Sequence, residues 1–300
     1  MRITTQMSAR TILRDLNGNL DNLSNLQVQM STGMQINKPS DDPYGTSRAM
    51  ELRGELNGFQ QYTSNVNDGT AWLNASDTAL SGMGDVIQRA RELTIEGGTD
   101  SASPQSRSAA ADEIDQLIGT LKQEANVQYA GSFIFSGTAI DRPPYGDAND
   151  AFGGNTNAMQ REIGPGTNLD VNVDISSVLG NGQTPAPGDD KLIDTLRDIS
   201  ADLRSGNGDA LRGTDLNRLD SNQDALIAVR AEVGARTNRM TVAYNRLQSL
   251  TLNATRLLSD TEDADTPQTL TDYTTESAAY QMALKAGANV IQPSLLDFLS

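Results

Sequence analysis

The stretch QINKPSDDPYGTSRAM, residues 35–50, decides the fold because it interrupts two segments that both have helical periodicity. Asp42 precedes a proline, so its backbone is biased away from the α region, and Pro43 suits a first helical position, where no amide donor is needed. The side chains of Ser40, Asp41 and Asp42 can accept hydrogen bonds from the free amides of a first helical turn. The stretch therefore predicts that one helix ends before it and another begins at Pro43.

Apolar residues on both sides of the chain's middle recur at alternating steps of three and four, a rhythm typical of a coiled-coil seam. Most such stripes face the core of their own domain. The two terminal segments lie outside the predicted bundle helices, so an exposed seam there implies a partner helix or a copy of the chain. The predicted self-assembly seam consists of Leu13, Leu16, Leu20, Leu23 and Met30 near the N-terminus and Leu270, Tyr273, Tyr280, Leu284 and Ile291 near the C-terminus.

The longest helical register runs from Leu219 to Leu257 and is interrupted only by the polar residues Asn222 and Arg236. It predicts one long helix. A further helix is predicted from Leu192 to Leu203. Shorter periodic segments around residues 52–59, 80–87 and 114–121 predict additional helices of a bundle.

The middle of the chain differs in composition, because prolines, glycines, asparagines and aspartates end the helical periodicity after residue 140. The segments AMQREIG (158–164) and NLDVNVDI (168–175) alternate as strands do, and PGT between them predicts a hairpin turn. Residues 141–190 carry eight acidic and two basic side chains. We therefore expect a hydrated surface module, and expect that residues 142–188 can be replaced by a short linker without loss of export or assembly.

Composition excludes several classes of function. The chain has 300 residues, a net charge of -16, and neither cysteine nor histidine. These values exclude thiol nucleophiles, Ser-His-Asp triads and thiolate or imidazole zinc sites, and they disfavour nucleic acid and anionic membrane surfaces. The first residues lack the apolar core of a secretory signal, and no apolar run approaches the roughly 18 residues of a membrane span. We expect no enzyme activity, no cofactor and no metal.

Three motifs that could indicate ligand sites favour structural roles. SDTEDADT (259–266) lacks the glycine and terminal glutamate of an EF-hand and predicts a solvated turn between helices. GSFIFSG (131–137) lacks the lysine and following helix of a phosphate-binding loop and predicts a packed strand or turn. Trp72, the only tryptophan, is interpreted as a packing anchor.

The sequence resembles the bacterial flagellin family. LSNLQVQMSTGMQINKPSDDPYGTSRAMELR (23–53) is similar to the N-terminal region of flagellins, with its leucine helix, Ser-x-Gly turn, Ile-Asn step and Asp-Asp pair that opens the next helix. INKPSDDP (36–43), GSFIFSGT (131–138) and SLLDFLS (294–300) look most like the hook-filament junction members of that family. Residues 141–190 are not diagnostic, and they are too short for a large outer domain.

The resemblance implies a mainly α fold, a long helical bundle with paired terminal coiled-coil helices and a small β-rich inserted domain. Residues 1–40 and 266–300 would form an inner layer, residues 41–140 and 190–265 the bundle, and residues 141–189 the outer insert. The break at Ser40, Asp41, Asp42 and Pro43 would separate the first two layers.

The resemblance also implies a structural role in the bacterial flagellum, as the protein that joins hook to filament. Its partners would be copies of itself, neighbouring hook-associated protein and flagellin subunits, and a cytoplasmic chaperone of the type III apparatus that exports it. Filament flagellin itself is one alternative. A cytoplasmic coiled-coil adaptor that never leaves the cell is the other.

Overall fold

The computed structural model describes residues 2–146, 150–181 and 188–291. It is mainly helical, as the sequence predicts. The elements, in chain order, are α1 (Arg2–Thr32), α2 (Pro43–Gly97), α3 (Pro104–Ala125), β1 (Gln128–Tyr129), β2 (Ser132–Phe133), β3 (Gln160–Gly164), β4 (Thr167–Asp170), α4 (Ser176–Leu179), α5 (Leu192–Ser205), α6 (Gly208–Ala210), a π-helical segment (Leu211–Asp215), α7 (Leu216–Glu262) and α8 (Thr266–Ile291).

The chain divides into two compact units. Unit 1 takes in the residues up to Gly58 and those from Leu250 onward, and unit 2 is Phe59–Ser249. Both α2 and α7 contribute residues to each unit. No helix of the described ranges is long and apolar enough to cross a lipid bilayer.

Unit 2 is built around one apolar core. Its buried side chains come from α2, α3, α5 and α7, and they recur along each helix at the spacing of a single face. Trp72 is 4% exposed and its ring packs edge-to-face on Tyr129, with 5.9 Å between ring centroids. The interpretation of Trp72 as a packing anchor is therefore confirmed.

Two antiparallel hairpins provide the strands. β1 pairs with β2 across the turn at Ala130 and Gly131, and the side chains of Ile134 and Phe135 that follow are fully buried. β3 pairs with β4 across Pro165 and Gly166, with Arg161 opposite Leu169. The hairpin predicted from AMQREIG and NLDVNVDI is confirmed, and so is the packed interpretation of GSFIFSG.

The interpretation of residues 142–188 as a surface module is wrong, whereas the effect of deleting them stays a prediction. Side chains of this segment are buried in the same core as those of the helices. They are Tyr145, Ile163, Leu169, Val171, Val173, Ile175, Val178 and Leu179. Five of the acidic side chains that suggested a hydrated module are exposed, so charge count alone concealed a buried face; they are Asp141, Glu162, Asp174, Asp189 and Asp190.

Polar contacts also fix this segment to the helices of unit 2. Arg236 of α7 donates to the carbonyl oxygen of Asn172 at 2.5 Å. Asp150 accepts from Lys122 at 2.8 Å and from Arg197 at 3.0 Å. These two cations lower the pKa of Asp150 against the opposing effect of burial, which is the largest single influence on it. Arg236, which interrupts the apolar register of α7, is therefore explained by its bond to the inserted chain.

The long-helix predictions are confirmed in part. The register from Leu219 to Leu257 lies within the 47-residue α7, and Leu192–Leu203 lies within α5. Asn222 is buried and donates to Thr195 Oγ1 at 3.1 Å, which satisfies a polar residue on an apolar face. The segments at 52–59 and 80–87 are not separate helices, because both lie within the 55-residue α2.

Candidate assembly surface

The candidate functional surface lies on the terminal helices of unit 1, where α1 packs against α8. The partly buried face of α1 repeats at steps of three and four, as packed helices require. Its members are Ile12, Leu16, Asn19, Leu23 and Leu26. The matching face of α8 consists of Thr269, Tyr273, Glu276, Tyr280, Ala283 and Gly287.

Gly287 shows how closely the two helices approach. A Cβ atom at this position would lie 3.1 Å from Cγ2 of Ile12 and 3.7 Å from Cδ1 of Leu16. The first distance is shorter than an ordinary carbon–carbon contact, so the glycine allows an approach that a larger residue would obstruct. The helices run antiparallel, since Ile12 meets Gly287 while Asn25 and Leu26 line a groove with Asp272 and Thr275.

The structure divides the predicted seam residues between two faces. Four of them, Leu16, Leu23, Tyr273 and Tyr280, lie on the packed faces just described. Five others are exposed, namely Leu13, Leu20, Met30, Leu270 and Leu284. The side chain of Ile291 lies outside the described residues, as does SLLDFLS. The predicted seam residues therefore belong to two surfaces, and one of these surfaces is the contact between α1 and α8.

Several large apolar side chains of α1 and α8 are exposed to solvent. Leu20 is 46% exposed and Leu284 is 45% exposed, although each belongs to a helix that packs against the other helix of the pair. Met7, Val28 and Met282 are exposed on the same two helices. Large exposed apolar surface on a soluble fold is typical of a protein–protein contact. Removal of leucine side chains from water would contribute about 1.5–3 kcal/mol each.

The break between α1 and α2 is built from the predicted residues, with one difference. Asp42 Oδ1 accepts from the amides of Tyr44 and Gly45, both at 3.0 Å, and so caps α2 as expected. Asp41 instead accepts from Lys38 N at 2.9 Å, and thus closes the preceding loop rather than the new helix. Ser40 is exposed, and α2 begins at Pro43 as predicted.

The break coincides in space with the turn between α7 and α8. Gln35 N donates to the carbonyl oxygen of Glu262 at 2.7 Å, and Ala264 N donates to that of Gly33 at 2.9 Å. Gly33 has φ +73°, a left-handed conformation that glycine adopts without strain and that commonly ends a helix. Only residues 263–265 of SDTEDADT form the predicted turn, because residues 259–262 belong to α7 and Thr266 begins α8. No cluster of metal-ligating side chains is present in the described residues.

An ion pair adds to the backbone hydrogen bonds between the break and the turn after α7. Both oxygens of the Glu262 carboxylate accept from Arg53 Nη2, at 3.0 and 2.8 Å. The Glu262 side chain is 10% exposed whereas that of Arg53 is 52% exposed. Sequence reasoning missed this contact because it joins residues that are far apart in the chain, and no local pattern signals it.

Comparison with known proteins shows what this arrangement is similar to. The sequence pattern of the bacterial flagellin N-terminal helical region matches residues 3–139, which hold α1, the break, α2, α3 and the first hairpin. These residues are similar to a flagellin N-terminal helical region. A flagellin of Clostridium tyrobutyricum is 32% identical over 42% of this chain, a stretch that spans 33% of that flagellin.

Full-length similarity extends beyond this flagellin region. The chain is 25% identical to a flagellin of Bacillus subtilis over the whole of both sequences. It is 24% identical to flagellar hook-associated protein 3 of Escherichia coli over 95% of this chain and 96% of that protein. A solved structure described as a putative flagellar hook-associated protein from Vibrio parahaemolyticus has a TM-score of 0.67 and 21% identity, and it covers 74% of this chain. The fold of the chain is therefore similar to that of this solved structure over most of its length.

Proposed function

We propose that the protein is a structural, self-assembling component of the bacterial flagellum that joins hook to filament and receives the first flagellin subunits. The proposal rests on the terminal helices α1 and α8. They pack against each other on one face and expose large apolar side chains at other positions. Similarity over nearly the whole chain to a flagellar hook-associated protein supports the junction role. The expectation of a structural protein rather than an enzyme agrees with these relatives.

The proposal retains three layers. Residues 1–40 and 266–300 form the inner layer, residues 41–140 and 190–265 the bundle, and residues 141–189 the small outer segment. The break at Ser40, Asp41, Asp42 and Pro43 separates the first two layers. The coincidence of this break with the turn after Glu262 supports such a boundary, because both chain segments change course at the same place.

The route to the flagellum is part of the same proposal. The chain is exported by the flagellar type III apparatus, and a cytoplasmic chaperone holds its C-terminal segment until export. Apolar side chains such as Leu270, Met282 and Leu284 would otherwise be exposed in the cytoplasm. Covering them before assembly prevents premature association of copies.

The test is a pair of charge substitutions on the exposed apolar surface. Leu20→Asp and Leu284→Asp, combined, place a charge where assembly would bury it, which costs more than the contribution of the leucine. Cells that carry this variant should export it yet shed flagellin into the medium, with hooks that bear no filament. Leu252→Asp is the matched control, because Leu252 is an exposed leucine of unit 1 that lies on α7. Normal filaments with the double variant would refute the proposal.

Filament flagellin is the second candidate, favoured by the full-length match to a Bacillus subtilis flagellin. Antibody labelling of intact flagella separates the two functions. A junction protein should be labelled in a short zone at the end of the hook, whereas a filament protein should be labelled along the whole filament.

A further inference from the structure

Unit 1 carries two pairs of like charges that have no ion-pair partner within the part of the chain that the structure describes. Arg10 and Arg14 are both exposed and lie four residues apart on α1. Asp272 and Glu276 lie four residues apart on α8, the first exposed and the second partly buried. Like charges at this spacing are neighbours on a helix surface and repel each other. Each pair would gain from a facing pair of opposite sign.

The acidic pair lines a groove between α1 and α8. Asp272, Thr275 and Glu276 form its α8 side, and amide side chains of α1 form the opposite side together with Leu26. The amides are those of Asn22, Asn25 and Gln29. The groove has a volume of about 420 Å³ and is open to solvent along its length. A ridge of side chains from another helix can therefore enter it, with hydrogen-bonding amides on one side and carboxylates on the other.

The basic pair lies on the opposite face of α1 from the contact with α8. Arg10 and Arg14 flank Ile12 in sequence, and Ile12 faces Gly287. At 100° per residue, a residue two positions away points about 160° from Ile12. The two arginines thus form a ridge on the outer side of α1, accessible to a neighbouring molecule.

The two pairs cannot meet within one chain. The arginines are centred near residue 12 of α1, and the groove is beside residues 22–29. At 1.5 Å per residue, this offset is about 21 Å along the helix axis. An ion pair needs contact of about 4 Å. An ion-pair partner for either pair must therefore come from another molecule. Because both pairs have a spacing of four residues, the basic pair of one copy of this chain matches the acidic pair of a second copy.

We propose that copies of this chain associate head to tail, with the Arg10 and Arg14 ridge of one copy seated in the Asp272 and Glu276 groove of the next. The inference rests on the proposed self-assembly and deepens it. Each copy offers one ridge and one groove on different surfaces, so the contact is heterologous and repeats from copy to copy. Neighbouring copies are displaced by about 21 Å along the terminal helices. The charges select this register, while the exposed leucines provide apolar burial.

Introduced cysteines test the contact directly, because the natural chain has none. The variant Arg10→Cys/Asp272→Cys keeps Arg14 and Glu276. Its two thiols are about 24 Å apart along the helix axis within one chain, whereas a disulfide needs Cα atoms within about 7 Å. Under oxidation at concentrations where the full chain sediments as assemblies, we expect a ladder of covalent multimers. Each single-cysteine variant should stop at the monomer or dimer.

Charge exchange provides a second measurement. The variants Arg10→Glu/Arg14→Glu and Asp272→Lys/Glu276→Lys should each need about tenfold more protein to assemble, and the four changes combined should restore assembly. Asp260→Lys, an exposed charge reversal on α7 of unit 1, is the control and should have no effect. Added salt should weaken assembly of the natural chain, because exposed pairs are screened.

The outcomes are distinguishable. Covalent dimers alone from the double-cysteine variant would mean a closed antiparallel pair and would overturn head-to-tail association. Assembly without cross-links, or no recovery in the fourfold variant, would overturn the ridge-and-groove contact but leave the proposed function intact. Failure of the natural chain to assemble under any condition would overturn both.

Discussion

Ile175 gives the sharpest test of whether the inserted segment belongs to the core of unit 2. The residue is fully buried, belongs to the segment that charge patterning suggested was dispensable, and precedes the short helix α4. Ile175→Ala removes buried methyl and methylene groups and leaves a cavity, and such changes cost about 2–5 kcal/mol of the free energy of unfolding. Its backbone carbonyl would still accept from Val178 and Leu179, so the loss is one of packing.

The assay is urea denaturation followed by the fluorescence of Trp72, which is buried in the same core and is the only tryptophan. With a denaturant dependence of about 2 kcal/mol/M, the expected loss lowers the midpoint by about 1 M or more. Ile227→Ala is the matched control, because Ile227 lies on α7 in unit 2 and is 54% exposed. Surface changes of this kind alter stability by about 0.5 kcal/mol or less. Equal midpoints for the two variants would refute a core role for the segment.

Three further predictions concern individual side chains. Burial, reinforced by the charge of Asp202, raises the pKa of Asp215 to about 6, so stability present at low pH is lost as pH rises through this value. Asp215→Asn should therefore stabilise unit 2 at pH 7 by up to about 3 kcal/mol, but not at pH 3, in thermal unfolding measurements. The control Asp224→Asn, at an exposed position of α7, should change stability by about 0.5 kcal/mol or less. Gly287→Leu should loosen the pairing of α1 and α8 and accelerate amide exchange along α1, while Gly18→Leu, which meets no atom within 4 Å, should not. Glu262→Gln should weaken the bidentate contact with Arg53 and accelerate exchange at Gln35 and Ala264, and unchanged protection there would show that the ion pair does not hold the turn.

Sequence patterns predicted the elements whose signals are local. The break at Pro43, the helix from Leu192, the long α7 and the hairpin around Gly166 depend on caps, periodicity and turn residues within a few positions of each other. The continuity of α2 was not predictable in the same way. Its buried face continues through Val66, Gly69, Leu73 and Ser76 at steps of three and four, but Gly69 and Ser76 are not apolar, so hydrophobic periodicity alone divides one helix into separate segments.

The register of the terminal pair depends on small and polar residues that hydrophobic periodicity ignores. The packed face includes Asn19, Thr269 and Gly287, whereas the leucines at 20 and 284 face outward. A count of leucines therefore selects a stripe that straddles two faces. Close approach of two helices favours small residues at the contact, and only the structure shows which stripe is used within the chain.

The hydrogen bonds that join Gly33 and Gln35 to Ala264 and Glu262 have a consequence for the order in which the molecule folds. They close a loop of more than two hundred residues, so this part of the native topology has a very high contact order. Unit 2 lies wholly inside that loop and can complete its contacts before residue 262 is available. When the chain emerges from its N-terminus during synthesis, unit 2 can therefore fold first, and α1 has no α8 to pack against until later. The packed pair of α1 and α8 therefore forms only after α8 has emerged, which delays recognition between copies through this pair until unit 2 can fold.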